Sequence, residues 1–395
     1  MENEQREIKV SVIVPVYNAE EFLEETIQSI EKQTLEDMEV IFVDDWSTDG
    51  SADILCSYRD GHPEKVTVIR QKNQFAGVAR NNGLKQAEGK YVAFWDADDF
   101  SDPTQLEKLY DQCEKTGADV GVCGMQRYDQ KTGTYRRLTT VINKKLLPED
   151  KSVFTSEELQ EVIFNAFSFH SPNKLFLRSF LMENDIRYSS DRISEDTVFI
   201  MKALLLANRI AIVDEPLYIY RINAEADNLT GTIAEDIMSK PRAFMEMKAF
   251  MIEKGLFNEK TERSFANKAL SGCIRHMRLT RTYDSYVSMY DYLMSGNGLN
   301  ELSITSDDEA YYYSSKDYKR YRAMKESGSA DEYLFWDKLL NQDAVKEKDI
   351  RLREAKETIR KLKSENKEIR SSKAYKYAKK VSELKKAVTG KQSRH

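Results

Sequence analysis

Three apolar runs in the first hundred residues each end on polar or acidic side chains. Lys9–Val14 (KVSVIV) leads into PVYN, Val40–Val43 (VIFV) ends on Asp44-Asp45, and Tyr91–Trp95 (YVAFW) ends on Asp96. Such runs predict buried strands. Val66–Ile69 predicts another. Amphipathic stretches lie between them. Ala19–Gln33 carries Phe22, Ile27 and Ile30 with acids near its start, which predicts a helix. Ser51–Tyr58 and Val78–Ala87 predict two more, the second stopping at Gly89. Pro103–Thr116 predicts a helix with proline in its first turn and Gly117 past its end. This alternation predicts an α/β fold with a parallel, doubly wound sheet. Ligands of such sheets bind beyond the carboxyl ends of the strands, where the acids of this chain cluster.

The second hundred residues are mixed. Asp119–Tyr128 predicts a strand, and Ser156–Phe167 and Asn173–Glu183 predict helices. Glu195–Ala207 predicts a further helix from the spacing of Val198, Met201, Leu204 and Leu205. Ile210–Val213 and Leu217–Tyr220 predict short strands. From Ile233 to about Leu340 the pattern is mainly helical.

Composition excludes several classes. Hydrophobic residues are 41% of 395, enough for packed cores. The net charge of −6 does not fit a basic nucleic-acid binder. No apolar run reaches 18 residues, so no membrane span is expected. Met1–Val10 lacks the apolar region of a signal peptide. Cys56, Cys113, Cys123 and Cys273 are far apart, which fits free thiols in a cytoplasmic protein.

The charge is unevenly spread. Residues 341–395 hold 18 Lys/Arg against 8 Asp/Glu, a net of +10, leaving −16 on residues 1–340. From Val345 a heptad places Val345, Leu352, Ile359 and Asn366 at a, with Lys348, Ala355, Leu362 and Ile369 at d. The two readings are a short oligomerising coiled coil and a solvated single helix. Beyond it, Ala374, Tyr377, Ala378, Val381, Leu384 and Val388 form an apolar stripe among lysines. That suits an anionic membrane surface or, alternatively, a frayed soluble terminus.

The acids at strand ends carry the chemistry. Burying a carboxylate is costly unless it is paired or binds a cation. Asp96-Ala97-Asp98 sets two carboxylates on one side of an extended segment. Such hard oxygen ligands suit Mg²⁺ or Mn²⁺ bridging to phosphates. Turn capping is the alternative for Asp98 and Asp99 and the preferred reading of Asp102. Arg80, in FAGVARNNGL, suits a diphosphate through bidentate contacts or, alternatively, an ion pair with a neighbouring acid. No G-x-x-x-x-G-K-[ST] or G-x-G-x-x-G is present, which removes support for an ATPase or a nicotinamide enzyme.

Taken together, SVIVPVYNAEEFLEETIQSI, VIFVDDWSTDGS, NQFAGVARNNGLKQAEGKYVAFWDADD and ISEDTVFIMKALLLANRI resemble the successive motifs of family 2 glycosyltransferases. The resemblance spans about residues 8–222 and is nearer to bacterial enzymes that decorate capsule or teichoic acid polymers than to processive synthases. It implies an inverting enzyme of the GT-A fold, a Rossmann-like doubly wound mixed sheet, that uses a nucleotide-sugar. In that pattern Pro15, Tyr17 and Asn18 line the nucleoside. Asp45 binds the base, commonly uracil, and Asn73 and Arg80 lie near the nucleotide and its diphosphate. Asp96 lies near the ribose, Ala97 is the small spacer, and Asp98 binds Mn²⁺ or Mg²⁺. Asp196 is the general base, with Glu195 a neighbouring contact. Trp46 stands where the family usually has glycine, so a changed loop backbone is expected there.

The resemblance implies transfer from a UDP-sugar to a hydroxyl of a cell-surface polysaccharide, teichoic acid or lipid-linked glycan. The alternatives are a silent nucleotide-sugar-binding scaffold that oligomerises through its tail, and, more weakly, a nucleotidyltransferase. The expected organisation is a donor half (1–118), an acceptor half (119–230), a helical region (231–340) and a basic tail (341–395). The expected location is the cytoplasm, peripherally on the inner face of the membrane. Lys174 and Arg221 are candidate contacts for an anionic acceptor or the diphosphate. His170 reads as a structural histidine, and Tyr311–Tyr313 read as packing between helices or as sugar-stacking surfaces.

Overall fold

Strand β1 (Val10–Val16) is buried along nearly its whole length and sits inside the sheet. After it come α1 (Glu20–Glu31), β2 (Met38–Asp44), α2 (Ser51–Gly61), β3 (Val66–Arg70), α3 (Phe75–Gln86) and β4 (Tyr91–Phe94). These match the expected elements to within a few residues. β1 pairs in parallel with β2 and β4, and β2 with β3. The carboxyl ends of β1, β2 and β4 therefore open on one rim. PVYN, Asp44-Asp45 and Asp96 all stand there.

The computed structural model describes residues 7–222, 229–294 and 296–342, together with 361, 364 and 367. The expected heptad positions and the basic stripe lie outside the described residues. Two compact units divide the chain, residues 1–322 and 323–395. Among the described residues no helix is long and apolar enough to cross a membrane.

The chain continues through β5 (Phe100–Ser101), α4 (Gln105–Thr116), β6 (Val120–Asp129), β7 (Thr134–Arg137) and β8 (Val153–Phe154). Next come α5 (Ile163–Ala166), β9 (Lys174–Leu177), α6 (Arg178–Glu183), α7 (Glu195–Leu206) and β10 (Ile210–Ile222). The strand order is β3-β2-β1-β4-β9-β6-β10-β5. β9 runs antiparallel to both β4 and β6, so the sheet is mixed.

Four local expectations change. Asn173–Glu183 is not one helix, because Lys174–Leu177 fills the slot between β4 and β6 as a strand. Burial on both sides outweighs the helical spacing there. Ser156–Phe167 is helical only over α5. Its backbone and side chains are claimed by the later helical region: Phe164 N donates to Ser264 Oγ (3.0 Å) and Asn165 Nδ2 to Ser264 O (2.7 Å). The two expected short strands are one, β10, with register breaks around Pro216. Helix α4 starts two residues after Pro103, since Asp102 Oδ1 accepts Thr104 N (2.9 Å) in the turn before it. Gly117, at φ 61°, ends α4 as expected.

Helices follow as anticipated: α8 (Ser239–Glu253), α9 (Glu259–Leu279), α10 (Tyr283–Met294), α11 (Gly298–Glu301) and α12 (Ser315–Glu326). Asn258 and Thr261 form a capping box that starts α9. α8 packs on α7, and α9 on α5 and α8. Tyr312 packs among Tyr311, Tyr318 and Tyr321, with ring centroids 5.4–5.6 Å apart. Beneath the rim, Phe94, Phe176 and Phe199 pack edge-on or tilted. Tyr188 stacks on Phe199 at 3.9 Å. This cluster joins β4, β9 and α7 and fixes Tyr188 beneath the site.

Candidate active site

Arg80 lies on α3 and is buried, 7% exposed. Its Nη2 donates to Asp96 Oδ1 (2.7 Å) at the end of β4, and its Nη1 to Glu195 Oε1 (3.0 Å) at the start of α7. The guanidinium also lies over the Tyr188 ring, 5.2 Å from its centroid. Burial opposes its charge, but Asp96, Tyr188 and Glu195 outweigh that and push its pKa up. Glu195 is pushed up by burial and by Asp196, with Arg80 pulling it back. Arg80 thus joins Asp96 to Glu195, a residue 115 positions beyond Arg80 itself. It supplies both the expected ion pair with an acid and a second one.

Two features let α3 approach α7 so closely. A Cβ on Gly77 would stand 2.3 Å from Ser189 O and 3.1 Å from Glu195 Cβ, so only glycine fits. Asn81 clamps the same loop by donating to Tyr188 O (2.9 Å) and accepting from Tyr188 N (3.0 Å).

The D-x-D segment is held from both sides. Thr26 Oγ1 on α1 lies 2.8 Å from Ala97 O and 2.9 Å from Asp99 O. Asp99 is buried and accepts from Tyr218 Oη (2.9 Å) and Arg221 N (2.8 Å). Burial, then Asp98 and Asp96, hold its pKa well above the usual range. Arg221 Nε donates to Asp98 O (2.8 Å), and Arg221 also pairs with Glu25. The Asp98 carboxyl differs. It is partly exposed, and no other described residue hydrogen-bonds its oxygens. Burial, then Asp96, raise it to about 6, against the pull of Arg221 and Arg80.

The nucleoside candidates line the rim of β1 and β2. Asn18 Oδ1 accepts Thr48 N (2.8 Å), and Asn18 N donates to Ser47 Oγ (3.1 Å). Asp45 is buried, and its Oδ1 accepts Gln71 Nε2 (2.7 Å) and Gln74 N (2.9 Å). Its Oδ2 has no protein partner among the described residues. Pro15 sits opposite Val43 in the sheet. Tyr17 is 53% exposed, and Asn73 is exposed just before α3. Trp46 adopts φ 71°, the left-handed region that favours glycine, and its ring stacks with Arg70 at 5.1 Å. Arg70 in turn pairs with Asp44 (3.1 Å). Asn18, Trp46, Phe75 and Ser194 all hold positive φ around these loops. Such strain concentrates at functional sites.

Asp196 follows Glu195 on the first turn of α7, and its Oδ1 accepts weakly from Thr197 Oγ1 (3.3 Å). Lys174 is fully buried and donates to Ser168 O, His170 O and Asn173 Oδ1 at 2.6–2.9 Å. Burial pushes its pKa down to about 7. Lys174 and Arg221 are therefore struts of the fold, not open contacts. His170 is exposed, its ring 6.3 Å from that of Tyr220.

The model described as glycosyl transferase family 2 matches residues 11–184. The cholesterol galactosyltransferase of Borreliella burgdorferi is 31% identical over 270 residues, 66% of this chain and 72% of that protein. The chain belongs to glycosyltransferase family 2. EpsJ of Bacillus subtilis, an uncharacterized glycosyltransferase, is 34% identical over 54% of this chain and 61% of its own length. TarS of Staphylococcus aureus, a poly(ribitol-phosphate) beta-N-acetylglucosaminyltransferase, is 27% identical over 84% of this chain and 57% of its own length. The chain therefore spans about three-fifths of these last two relatives. A crystal structure of TarS residues 1–349 with UDP-GlcNAc superposes with a TM-score of 0.58 at 23% identity, covering 82% of this chain and 89% of that one. The fold is thus the GT-A fold expected of the family.

The sequence missed Gln71 and Gln74 as holders of Asp45, Arg70 as partner of Asp44, and Asn81 as the clamp on Tyr188. The run QKNQ between strand and helix was the available signal for the first two.

Removing the guanidinium leaves two carboxylates without their shared partner. Arg80→Met is expected to cost about 3–5 kcal/mol of unfolding free energy by urea titration. A loss under about 1 kcal/mol would mean that the bridge does not hold the two segments together.

Proposed function

We propose that this protein is an inverting glycosyltransferase that moves a sugar from a UDP-sugar to a hydroxyl of a cell-surface polysaccharide, teichoic acid or lipid-linked glycan. The observation that carries the reading is a partly exposed Asp98 carboxyl, bonded by no other described residue, two residues from Asp96, whose Arg80 bridge ends one residue from Asp196. Asp45 supports a uracil base, because a carboxylate oxygen accepts hydrogen bonds and uracil offers an imide N–H. The UDP-GlcNAc in the TarS crystal is a property of that protein that agrees with it.

A divalent cation fits Asp98. Its carboxylate is raised by burial and by Asp96, so a cation would relieve both. Among the described residues no group of three or more His, Cys, Asp or Glu is arranged to hold a metal ion. Asp98 would thus be the protein ligand, with phosphate oxygens completing the set. When bound, the cation neutralises charge on the diphosphate.

The remaining work falls to the chain. Asp45 and the PVYN loop hold the nucleoside, and Asp96, aligned by Arg80, meets the ribose. Asp196 accepts the proton of the acceptor hydroxyl while its oxygen attacks the anomeric carbon. The bond from that carbon to the diphosphate oxygen breaks, and UDP leaves with the bonding electrons. One carboxylate suffices for such a displacement, whereas glycosidases need two.

Residues 341–395 are proposed to hold subunits together and to meet an anionic membrane. Their deletion is expected to lower oligomer mass and liposome binding, and unchanged values would refute that role. For the chemistry, the test is a thermal-shift screen of nucleotide-sugars with and without Mn²⁺, followed by Asp196→Asn. UDP-sugars are expected to raise Tm. Asp196→Asn is expected to slow transfer by about 10²–10⁴-fold with UDP affinity unchanged. Near wild-type transfer would remove Asp196 as the base.

A further inference from the structure

Lys268 and Arg275 lie two turns apart on one face of α9, with Gly272 between them at the i+4 position. A Cβ at Gly272 would stand 2.8 Å from the Phe244 ring and 3.5 Å from Lys240 Cγ. The missing side chain lets α8 lay the Lys240 stem across α9 at that point. Lys240 Nζ then donates to Thr197 Oγ1 (2.7 Å), the residue after Asp196. Lys268 Nζ sits 3.9 Å over the Phe169 ring and 3.4 Å from Phe167 O. Lys240 and Lys268 each feel the charge of Asp196, at the start of α7, and of the exposed Arg275, so three cations from two helices share one electrostatic neighbourhood.

Among the described residues none of the three forms an ion pair with a carboxylate. Burial, then Lys240, hold the Lys268 ammonium down at about 7, with Asp196 pulling it up. Burial lowers Lys240 as well, against Asp196 and Glu195. Of the two described acids that act on Lys240, Glu195 is already shared with Arg80, which leaves Asp196. Like charges held together without matching acids are unfavourable alone and favour an external anion. Lys174 and Arg221, the two cations named as candidates for an anionic acceptor, are consumed inside the fold. This cluster takes their place.

We propose that Lys240, Lys268 and Arg275 form an anion subsite beside Asp196 that holds a phosphate of the acceptor. It follows that the acceptor is a phosphate-bearing glycan or polyol rather than a neutral one. This rests on the reading of Asp196 as the acceptor base. The relatives leave the point open, since one is described as acting on cholesterol and another on poly(ribitol-phosphate).

The donor diphosphate offers the same chemistry, so the test separates the two. The full chain is titrated with a glycerol-phosphate oligomer, an uncharged dextran oligomer and UDP, at low and at physiological salt. The wild type is expected to bind the phosphate oligomer, more weakly as salt rises, and not the dextran. Arg275→Gln and Lys268→Gln are each expected to weaken the oligomer by about tenfold, with UDP affinity within about twofold and Tm preserved. Lys268→Arg is expected to restore binding. No binding by the wild type, or unchanged binding in both variants, overturns the proposal. UDP weakened as much as the oligomer assigns the cluster to the donor and also overturns it. Absence of UDP-sugar hydrolysis with intact oligomer binding would instead overturn the transfer chemistry and spare the subsite.

Discussion

A buried guanidinium between two carboxylates is the constraint on which the site depends. Arg80 is too well enclosed to stand alone, and neither Asp96 nor Glu195 is fully hydrated. Each makes the burial of the others tolerable, and losing one member leaves an uncompensated charge. The pair joins the end of β4 to the first turn of α7. The donor acids and the residue proposed as base are thereby held in one frame. Gly77 and the Asn81 clamp exist at the points where that frame needs close approach.

Around this frame the remaining acids divide by environment. Asp99 is bonded to Tyr218 and Arg221 and serves the fold. Asp102 caps a turn. Asp44 is paired with Arg70. The Asp98 carboxyl and one oxygen of Asp45 are hydrogen-bonded by no other described residue. Unsatisfied acceptors at the rim of an α/β sheet are where a ligand completes the bonding. The same bookkeeping, applied to cations, separates the struts Lys174 and Arg221 from the cluster on α8 and α9.

Much of this was legible in the sequence, for identifiable reasons. β1, β2 and β4 were readable because buried parallel strands are continuous apolar runs, and their acids marked the ends. Asp96 and Asp98 stood out because acids are unexpected at the ends of buried strands, whereas Glu195 and Asp196, ordinary acids for a helix start, came only from the family resemblance. β9 was not readable, since KLFL has no period that separates a four-residue strand from a helical turn. The φ of 71° at Trp46 was not legible either, since a bulky side chain argues against the left-handed region, which costs it about 1–2 kcal/mol. The subsite on α8 and α9 was invisible because it depends on how two helices cross at Gly272, a long-range fact that residue spacing does not carry.

The central chemical claim is displacement at the anomeric carbon with a single carboxylate as base. It is tested most directly by the configuration of the first sugar released, with water standing in for the acceptor. Proton NMR of an α-linked UDP-sugar during hydrolysis, read before mutarotation, reports that configuration. The β anomer is expected first. An α anomer appearing first would require a covalent or front-side route and would contradict the role given to Asp196.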